Sequence, residues 1–171
     1  MNASTPLEIE KKYIIEIPDL DALSHIDGYT KSDIVQTYLL SSPQVTHRVR
    51  RRTYGDVTVY TETKKIRIDK ISSFEDEREI DENEYLSLLA IADPMSDPVV
   101  KTRHTVPLGE LTLEIDVYPN WKKCCVMEIE LPSRDATPRI PDYIRVVADV
   151  TGDKRYSNSS MSRAFPPEPL I

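Results

Sequence analysis

Hydrophobic and polar residues alternate along most of this chain. In the first segment, "LEIEKKYII", Glu8 separates Leu7 from Ile9, and Glu10 and Lys12 continue the polar positions. Alternation at every second residue is typical of a β-strand whose two faces meet different surroundings. The pattern predicts about eight strands, enough to close a barrel: residues 7–17, 34–40, 46–52, 57–66, 74–80, 99–106, 111–118 and 125–131.

Helical patches and turn residues complete the predicted architecture. Gly55 marks a hairpin, and the proline-rich stretches "DPMSDP" and "LPSRDATPRIP" are predicted loops. The chain is therefore predicted to be a single α+β domain of residues 1–171, mainly β, with a core at 7–164 and a loose tail at 165–171. Four segments have helical character: residues 19–25, 82–92, 141–148 and 157–164.

The polar faces of the predicted strands carry charges that are sorted by sign. A sheet with its charged side in water would also show alternation. Like charges facing one another across strands are destabilising, however, and here pairs of like charge recur. This sorting favours a closed barrel with a charged interior, with cations on one wall and carboxylates on the other. The recurring pairs are Glu8 and Glu10, Arg48 and Arg50, Lys101 and Arg103, Glu114 and Asp116, and Glu128 and Glu130.

Composition limits the environment and the partners. Charged residues make up 30% of the chain and hydrophobic residues 39%, which predicts an ordered domain. The net charge of −7 argues against general affinity for nucleic acid or an anionic membrane, but not against a buried cationic pocket.

The adjacent Cys124 and Cys125 suit neither a disulfide nor a zinc site, so we expect reduced thiols. With no apolar run of membrane length and an acidic first segment unlike a signal peptide, we expect a cytoplasmic protein, monomeric or homodimeric.

The two kinds of charged wall suggest a ligand class. Clustered carboxylates provide the oxygen ligands that suit Mg²⁺ or Mn²⁺. Arginine and lysine side chains suit a polyanion, because a guanidinium can bind phosphate through two parallel hydrogen bonds. The chain has only four glycines and no glycine-rich phosphate loop. The sequence therefore predicts a compact polyphosphate held by side chains beside a divalent metal.

Several motifs resemble those of one known family. The segment "EIEKK", read as Glu8-x-Glu10-x-Lys12, is similar to the signature of the CYTH, or triphosphate tunnel metalloenzyme, family. The segments "QTYL", "RVR", "EDEREI", "KTR", "LEIDVY", "MEIEL" and "VTGDKRYSN" follow in the family's order. The resemblance extends from Glu8 to about Ala164. It implies a closed, eight-stranded antiparallel β-barrel with helices outside, which binds a triphosphate and a divalent metal inside.

The resemblance also implies roles for individual residues. Glu77 and Glu79 match an acidic strand that is expected to orient the basic residues. Lys12, Arg48, Arg50 and Lys65 are expected to act in catalysis as well as in binding. The residues that match metal ligands are Glu8, Glu10, Glu114, Asp116, Glu128 and Glu130. Those that match substrate-binding residues are Lys12, Arg48, Arg50, Lys65, Lys101, Arg103, Lys154 and Arg155.

Two positions depart from the family pattern. Many relatives have an arginine two residues before the equivalent of Glu77, whereas this chain has Glu75 there, so one phosphate contact is expected to be missing. The segment "TETKK" offers both Lys64 and Lys65, which lie on opposite faces of a strand. The spacing to "EDEREI" favours Lys65 as the tunnel residue.

The resemblance implies hydrolysis of a triphosphate with Mg²⁺ or Mn²⁺. Inorganic triphosphate is the first candidate, cleaved to diphosphate and phosphate; thiamine triphosphate is the second, and cyclisation of ATP the third. The histidines His25, His47 and His104 form no recognisable catalytic triad, so no protein nucleophile is expected. Two other classes stay open: a module that binds nucleotide or polyphosphate without turnover, and a carrier of an apolar ligand, which conflicts with an ionic interior.

Overall fold

The computed structural model describes residues 7–171 as a mainly β structure with a few short helices. No helix in this part of the chain is long and apolar enough to cross a membrane. The strands are β1 (Leu7–Glu16), β2 (Thr30–Tyr38), β3 (Thr46–Tyr54), β4 (Val57–Arg67), β5 (Ser72–Ile80), β6 (Val99–Leu108), β7 (Leu111–Val117), β8 (Cys124–Glu130) and β9 (Val146–Asp149). The helices are α1 (Leu20–Ser24), α2 (Glu82–Leu88) and α3 (Asn158–Arg163), with 3₁₀ turns at Leu89–Ile91 and Lys154–Tyr156.

Eight strands form a closed antiparallel barrel. Their order is β5-β4-β3-β2-β6-β7-β8-β1, and β5 pairs back to β1. Closure is short, because only Leu7 to Ile9 of β1 pair with β5. The other edge of β1 pairs with β8 from Glu10 to Glu16. The predicted closed, eight-stranded α+β fold is confirmed, and all eight predicted strands are present.

One predicted element is wrong. Residues 141–148 were expected to be helical, but Val146–Asp149 form β9, which pairs with β1 where β5 has ended. Tyr13 of β1 lies opposite Asp149 in this pairing. The strand satisfies backbone groups that would otherwise be left unpaired at this edge, and the β-branched Val146 and Val147 favour an extended chain. A long-range pairing thus overrides the local helical pattern.

The outer face of one half of the barrel is the main hydrophobic core. Alternate residues of β1, β6, β7 and β8 point outward and are covered by α1 and by the loop after β8. Leu23 of α1 and Ile144 of the loop segment belong to this cluster. A smaller outer cluster lies beneath α2, where Tyr85 joins Val49 and Ile80. Fully buried members of the main core are Ile15, Val106, Leu113, Ile115, Cys125, Met127 and Ile129.

A second apolar cluster closes one end of the barrel interior. Ile14 of β1, Val126 of β8 and Val99 of β6 contribute to it, and Met161 of α3 packs against them. Tyr118 is also buried there, with its hydroxyl donating to Asn158 Oδ1 at 2.8 Å. These packed side chains fill part of the interior, and the open space begins beside them, with Tyr38 in its wall.

Residues 165–168 of the predicted loose tail contact this closed end, whereas Leu170 and Ile171 are exposed. The ring of Phe165 lies 5.4 Å from that of Tyr118 and 5.5 Å from that of Trp121, centroid to centroid. Trp121 Nε1 donates to the carbonyl oxygen of Pro166 at 3.0 Å. The Glu168 carboxylate accepts hydrogen bonds from the backbone N–H groups of residues 122–124. Cys124 lies beside this region and Cys125 in the main hydrophobic core, both as buried free thiols.

Removing the Phe165 ring should therefore destabilise the protein. We expect Phe165→Ala to lower the free energy of unfolding by about 2 kcal/mol, since a partly buried ring loses less than a core ring. Urea denaturation measures this change. Leu170→Ala is the matched control, because Leu170 is 97% exposed. Equal stability of both variants and the parent would show that the tail does not pack in solution.

Candidate functional site

The barrel interior changes from apolar to charged along the inward positions of each strand in one half of the barrel. On β1 the change falls between Ile14 and Lys12, and on β8 between Val126 and Glu128. On β7 the charged positions reach one pair deeper, because Asp116 lies opposite Val126 in the β7–β8 ladder. Since side chains alternate across each strand, the inward positions of the sequence determine both the plug and the charged layer.

A cavity of about 460 Å³ lies on the charged side of this boundary. Residues of α3 and the 3₁₀ turn before it contribute Lys154 and 157–160 to its wall. The charged residues that line it are Glu8, Glu10, Lys12, Arg48, Arg50, Arg52, Lys65, Arg67, Glu75, Glu77, Arg103, Glu114, Glu128, Glu130 and Lys154.

The deepest charged layer is an ion network centred on Asp116. Its carboxylate accepts from Lys101 Nζ at 2.5 Å and from Arg103 Nε and Nη2 at 2.7 and 2.8 Å. The side chains of Lys101 and Asp116 are completely buried. Burial, followed by the neighbouring Arg103, lowers the pKa of Lys101 to about 8, because two cations share one carboxylate. The same two cations hold the pKa of Asp116 below its usual value despite burial.

A second layer connects this network to the cavity. Arg103 Nη1 contacts the Glu114 carboxylate at 2.5 Å, and its Nη2 contacts Glu128 at 3.2 Å. Lys12 Nζ lies 2.8 Å from the other oxygen of Glu128. Although burial opposes it, the positive charges of Lys12 and Arg103 hold the pKa of Glu128 well below its ordinary value. Glu114 and Glu128 are therefore already paired with cations.

Strands β3 and β4 form a basic wall. Arg50 is 9% exposed, and its closest partner is the neutral Gln36, whose Oε1 accepts from Nε and Nη2 at 3.2 and 3.1 Å. Its nearest carboxylate, Glu77, is 3.9 Å away. Burial and the nearby charges of Arg48 and Arg103 lower the pKa of Arg50 to about 10. This guanidinium is thus charged at neutral pH, crowded by cations and short of an anion.

Lys65 completes this wall, whereas Lys64 is exposed on the outer face of β4. Lys65 Nζ lies 3.1 Å from the Glu75 carboxylate and also contacts Glu8. Arg48 Nη2 lies 3.2 Å from the other oxygen of Glu75. The choice of Lys65 over Lys64 as the inward lysine is confirmed by this placement.

The acidic wall is formed by the first half of β1 and the end of β8. Glu10 lies directly opposite Glu130 in the β1–β8 ladder, so both side chains share the inner face. Within residues 7–171 neither carboxylate has a hydrogen-bond or salt-bridge partner. Burial, opposed by Lys65 and reinforced by Glu10 and Glu75, raises the pKa of Glu8 to about 7. In the described residues no three His, Cys, Asp or Glu side chains are gathered into a metal-binding group.

The predicted site residues are not all at the cavity. Lys101 and Asp116 lie beneath it in the buried network, and Arg155 points away, with its side chain 74% exposed and paired with Asp153 at 2.7 Å. Of the two acids expected to orient cations, Glu77 lines the cavity and Glu79 does not. The predicted residues that line it are Glu8, Glu10, Lys12, Arg48, Arg50, Lys65, Arg103, Glu114, Glu128, Glu130 and Lys154.

Some lining residues were missed in the sequence. Arg52 continues the alternation begun by Arg48 and Arg50, and Arg67 continues that of Lys65, so the period of the strand could have identified both. Arg52 Nε donates to Ser32 Oγ at 2.8 Å across β2 and β3. The serines of α3 carried no comparable signal, because packing of α3 over the barrel brings them to the cavity.

Solved structures resemble the chain over most of its length. The inorganic triphosphatase NE1496 is 25% identical, with 94% of this chain and 97% of that chain covered and a TM-score of 0.55. PH1819 from Pyrococcus horikoshii OT3 is 19% identical, with 75% and 80% covered and a TM-score of 0.57. This likeness agrees with the resemblance of the sequence motifs to the CYTH, or triphosphate tunnel, family. No protein-family model and no curated protein matches it.

The buried ion network of this barrel should be sensitive to loss of its central charge. Asp116→Asn would leave Lys101 and Arg103 buried without their shared carboxylate, and we expect a loss of about 3–5 kcal/mol in unfolding free energy. Urea denaturation measures it. Glu130→Gln removes an exposed carboxylate of the same barrel, and a change within about 0.5 kcal/mol is expected. Similar losses of unfolding free energy in both variants would contradict the conclusion that the Asp116 charge matters more because it is buried.

The shifted Glu8 pKa predicts that the stability of the metal-free protein depends on pH. Between about pH 4.5 and 7 the folded protein retains the Glu8 proton that the unfolded chain releases. The contribution of Glu8 to the free energy of unfolding therefore falls as the pH rises from about 4.5 to 7. In Glu8→Gln the free energy of unfolding, measured with EDTA near pH 5 and near pH 8, should fall less than in the parent. Identical pH dependence would exclude this titration.

Proposed function

We propose that the protein is a metal-dependent triphosphatase that cleaves inorganic triphosphate to diphosphate and phosphate. The observation that carries this proposal is the unbalanced charge of Arg50, a buried cation among cations whose close partner is a neutral amide. A phosphoryl group would supply the missing negative charge and could accept two guanidinium hydrogen bonds. The name of NE1496, an inorganic triphosphatase aligned over 94% of this chain, supports the same activity.

The lining favours a short polyphosphate over a single phosphate. Cations from β1, β3, β4 and β6 border one cavity of about 460 Å³. A chain of phosphoryl groups can contact several of these cations together, whereas one phosphate can reach fewer. The cations Lys12, Arg48, Arg50 and Lys65 are proposed to hold the triphosphate and to stabilise the negative charge that develops on the departing diphosphate.

The acidic wall fits a divalent cation in its donor chemistry. Glu10 and Glu130 face one another as like charges, an arrangement that is destabilising without a counter-ion. We propose that Glu8, Glu10 and Glu130 hold Mg²⁺ or Mn²⁺, since carboxylate oxygens are the preferred ligands of both. Glu114 and Glu128 would join only by leaving Arg103 and Lys12, and Asp116 stays in its buried network. A bound metal would supply positive charge to the phosphoryl oxygens.

The reaction needs no nucleophile from the protein. Direct in-line attack by water transfers the terminal phosphoryl group, and the basic wall orients it. The histidines have other partners: His47 Nε2 contacts Glu62 at 2.7 Å, His104 Nδ1 contacts Tyr29 at 2.7 Å, and His25 Nδ1 contacts a backbone carbonyl at 2.8 Å. The apolar plug at the closed end excludes water from one side of the charged layer.

A triphosphate with an organic substituent is the second candidate substrate. A further cavity of about 400 Å³ adjoins the first, and Tyr38, Thr46 and Ser159 line both. Its wall includes Leu40 and Met95, so it offers apolar surface beside the polyphosphate cavity. Thiamine triphosphate, or ATP as a substrate for cyclisation, would use both spaces.

The proposal is tested by product analysis. Purified protein is incubated with inorganic triphosphate, thiamine triphosphate or ATP, each with Mg²⁺, Mn²⁺ or EDTA. We expect phosphate and diphosphate from inorganic triphosphate only when metal is present. Cyclic AMP from ATP would instead establish cyclase chemistry. Binding of inorganic triphosphate without any product would establish a binding module.

Variants of the acidic wall test the metal assignment. Glu10→Gln and Glu130→Gln keep side-chain size but remove one charge each, and we expect turnover to fall by about 100-fold or more. Calorimetric titration with Mn²⁺ should show weaker binding in both. Glu110→Gln in the exposed turn between β6 and β7 is the control and should match the parent. Full activity and unchanged Mn²⁺ affinity in both wall variants would refute the assignment.

A further inference from the structure

Glu75 lies inside the cavity between two of the cations proposed to bind the triphosphate. One carboxylate oxygen is 3.2 Å from Arg48 Nη2 and the other is 3.1 Å from Lys65 Nζ. Its side chain is 17% exposed and those of Arg48 and Lys65 are 12% and 20% exposed, so all three are shielded from bulk solvent. Strand pairing fixes this position, because Glu75 lies opposite Lys65 in the β4–β5 ladder.

A carboxylate in this position resembles a phosphoryl group in its contacts. One of its oxygens accepts a hydrogen bond from Arg48, and the other forms an ion pair with Lys65 without hydrogen-bond geometry. Ion pairs that are shielded from water interact more strongly than exposed ones. Arg48 retains a buried Nε without a hydrogen-bond partner among residues 7–171, so Glu75 occupies only part of its donor capacity.

We propose that Glu75 is an internal competitor that limits the affinity of the cavity for polyphosphate. A bound phosphoryl group must share Arg48 and Lys65 with Glu75 or draw them away from it. Part of the gross binding free energy is therefore used to break or weaken those two contacts. The inference rests on the proposed function for the identity of the ligand, but it concerns affinity and not turnover.

The competition has a consequence for release of product. Diphosphate offers fewer negative charges than triphosphate, so it competes less well with the fixed carboxylate. Glu75 would then favour departure of diphosphate while the longer substrate still binds. Removing this carboxylate should tighten diphosphate as well as triphosphate.

The test is a comparison of Glu75→Gln with Glu77→Gln. Both residues line the cavity on β5. Glu77, however, lies 3.9 Å from Arg50 and forms no salt bridge with Arg48 or Lys65. Calorimetry with inorganic diphosphate and Mg²⁺, and with inorganic triphosphate and EDTA, measures affinity without turnover. We expect about tenfold tighter binding in Glu75→Gln and a clearly smaller change in Glu77→Gln. Equal tightening would show a general field effect and overturn direct competition.

Two further variants keep the test decisive. Glu75→Asp retains the charge and should bind both probes with nearly the parent affinity. In a Lys65→Gln background, Glu75→Gln should have a smaller effect, because one of the contested cations is gone. If Glu75→Gln fails to fold, tighter binding in the double variant Glu75→Gln, Lys65→Gln than in Lys65→Gln alone would still support the proposal, and equal or weaker binding would contradict it.

The outcomes separate this inference from the proposed function. If Glu75→Gln binds the probes more tightly than the parent but the parent does not hydrolyse triphosphate, the inference is supported and the proposed function is refuted. Hydrolysis by the parent with unchanged or weaker binding in Glu75→Gln would do the reverse. If neither probe binds the parent, both proposals fail.

Discussion

The charged interior depends on the shared carboxylate of Asp116. Lys101 and Arg103 both pair with the Asp116 carboxylate, which solvent does not reach. This carboxylate supplies the counter-charge that allows the two cations to be buried. Arg103 then extends to Glu114 and Glu128, and Glu128 in turn holds Lys12. Ion pairs of this kind contribute less to net stability than their number suggests, because each charge also loses its hydration. Their effect here is to fix side-chain positions at the base of the cavity.

This arrangement leaves different charges unbalanced on the two walls. On the basic side, Arg50 has a neutral amide as its close partner. On the acidic side, Glu10 and Glu130 face one another, and within residues 7–171 neither carboxylate forms a hydrogen bond or salt bridge. An anion and a metal together would balance both walls, which is why the triphosphate and the divalent cation belong to one proposal. Glu75 modifies this balance by placing a fixed anion on the basic side.

Strand β1 connects the architecture to the chemistry. Its inward residues Glu8, Glu10 and Lys12 belong to the charged layer, and Ile14 begins the apolar plug. Its edges pair with β8 on one side and with β5 and then β9 on the other. Closure of the barrel through three residues of β1 therefore also sets the position of the acidic wall relative to Lys65.

Much of the fold and of the site could be predicted from the sequence. Alternation located the eight barrel strands because side-chain direction repeats every two residues, a property of the local backbone. The same period assigned Glu10, Lys12 and Arg50 to one inner surface, and it would have assigned Arg52. The short strand β9 was not predicted, since it depends on pairing with a distant edge of β1.

The depth at which each charged side chain lies in the barrel could not be predicted from the sequence. Lys101 and Arg103 share the same spacing as Arg48 and Arg50, yet Lys101 is sealed beneath the cavity while Arg50 lines it. That difference arises from the level at which neighbouring strands pass from apolar to charged, and from packing of α3 and the C-terminal residues over the closed end. The sequence by itself determined which charges face inward, because strand period is local. Only the tertiary structure decided which of them neutralise one another and which are left for a ligand, because pairing requires contact between distant strands.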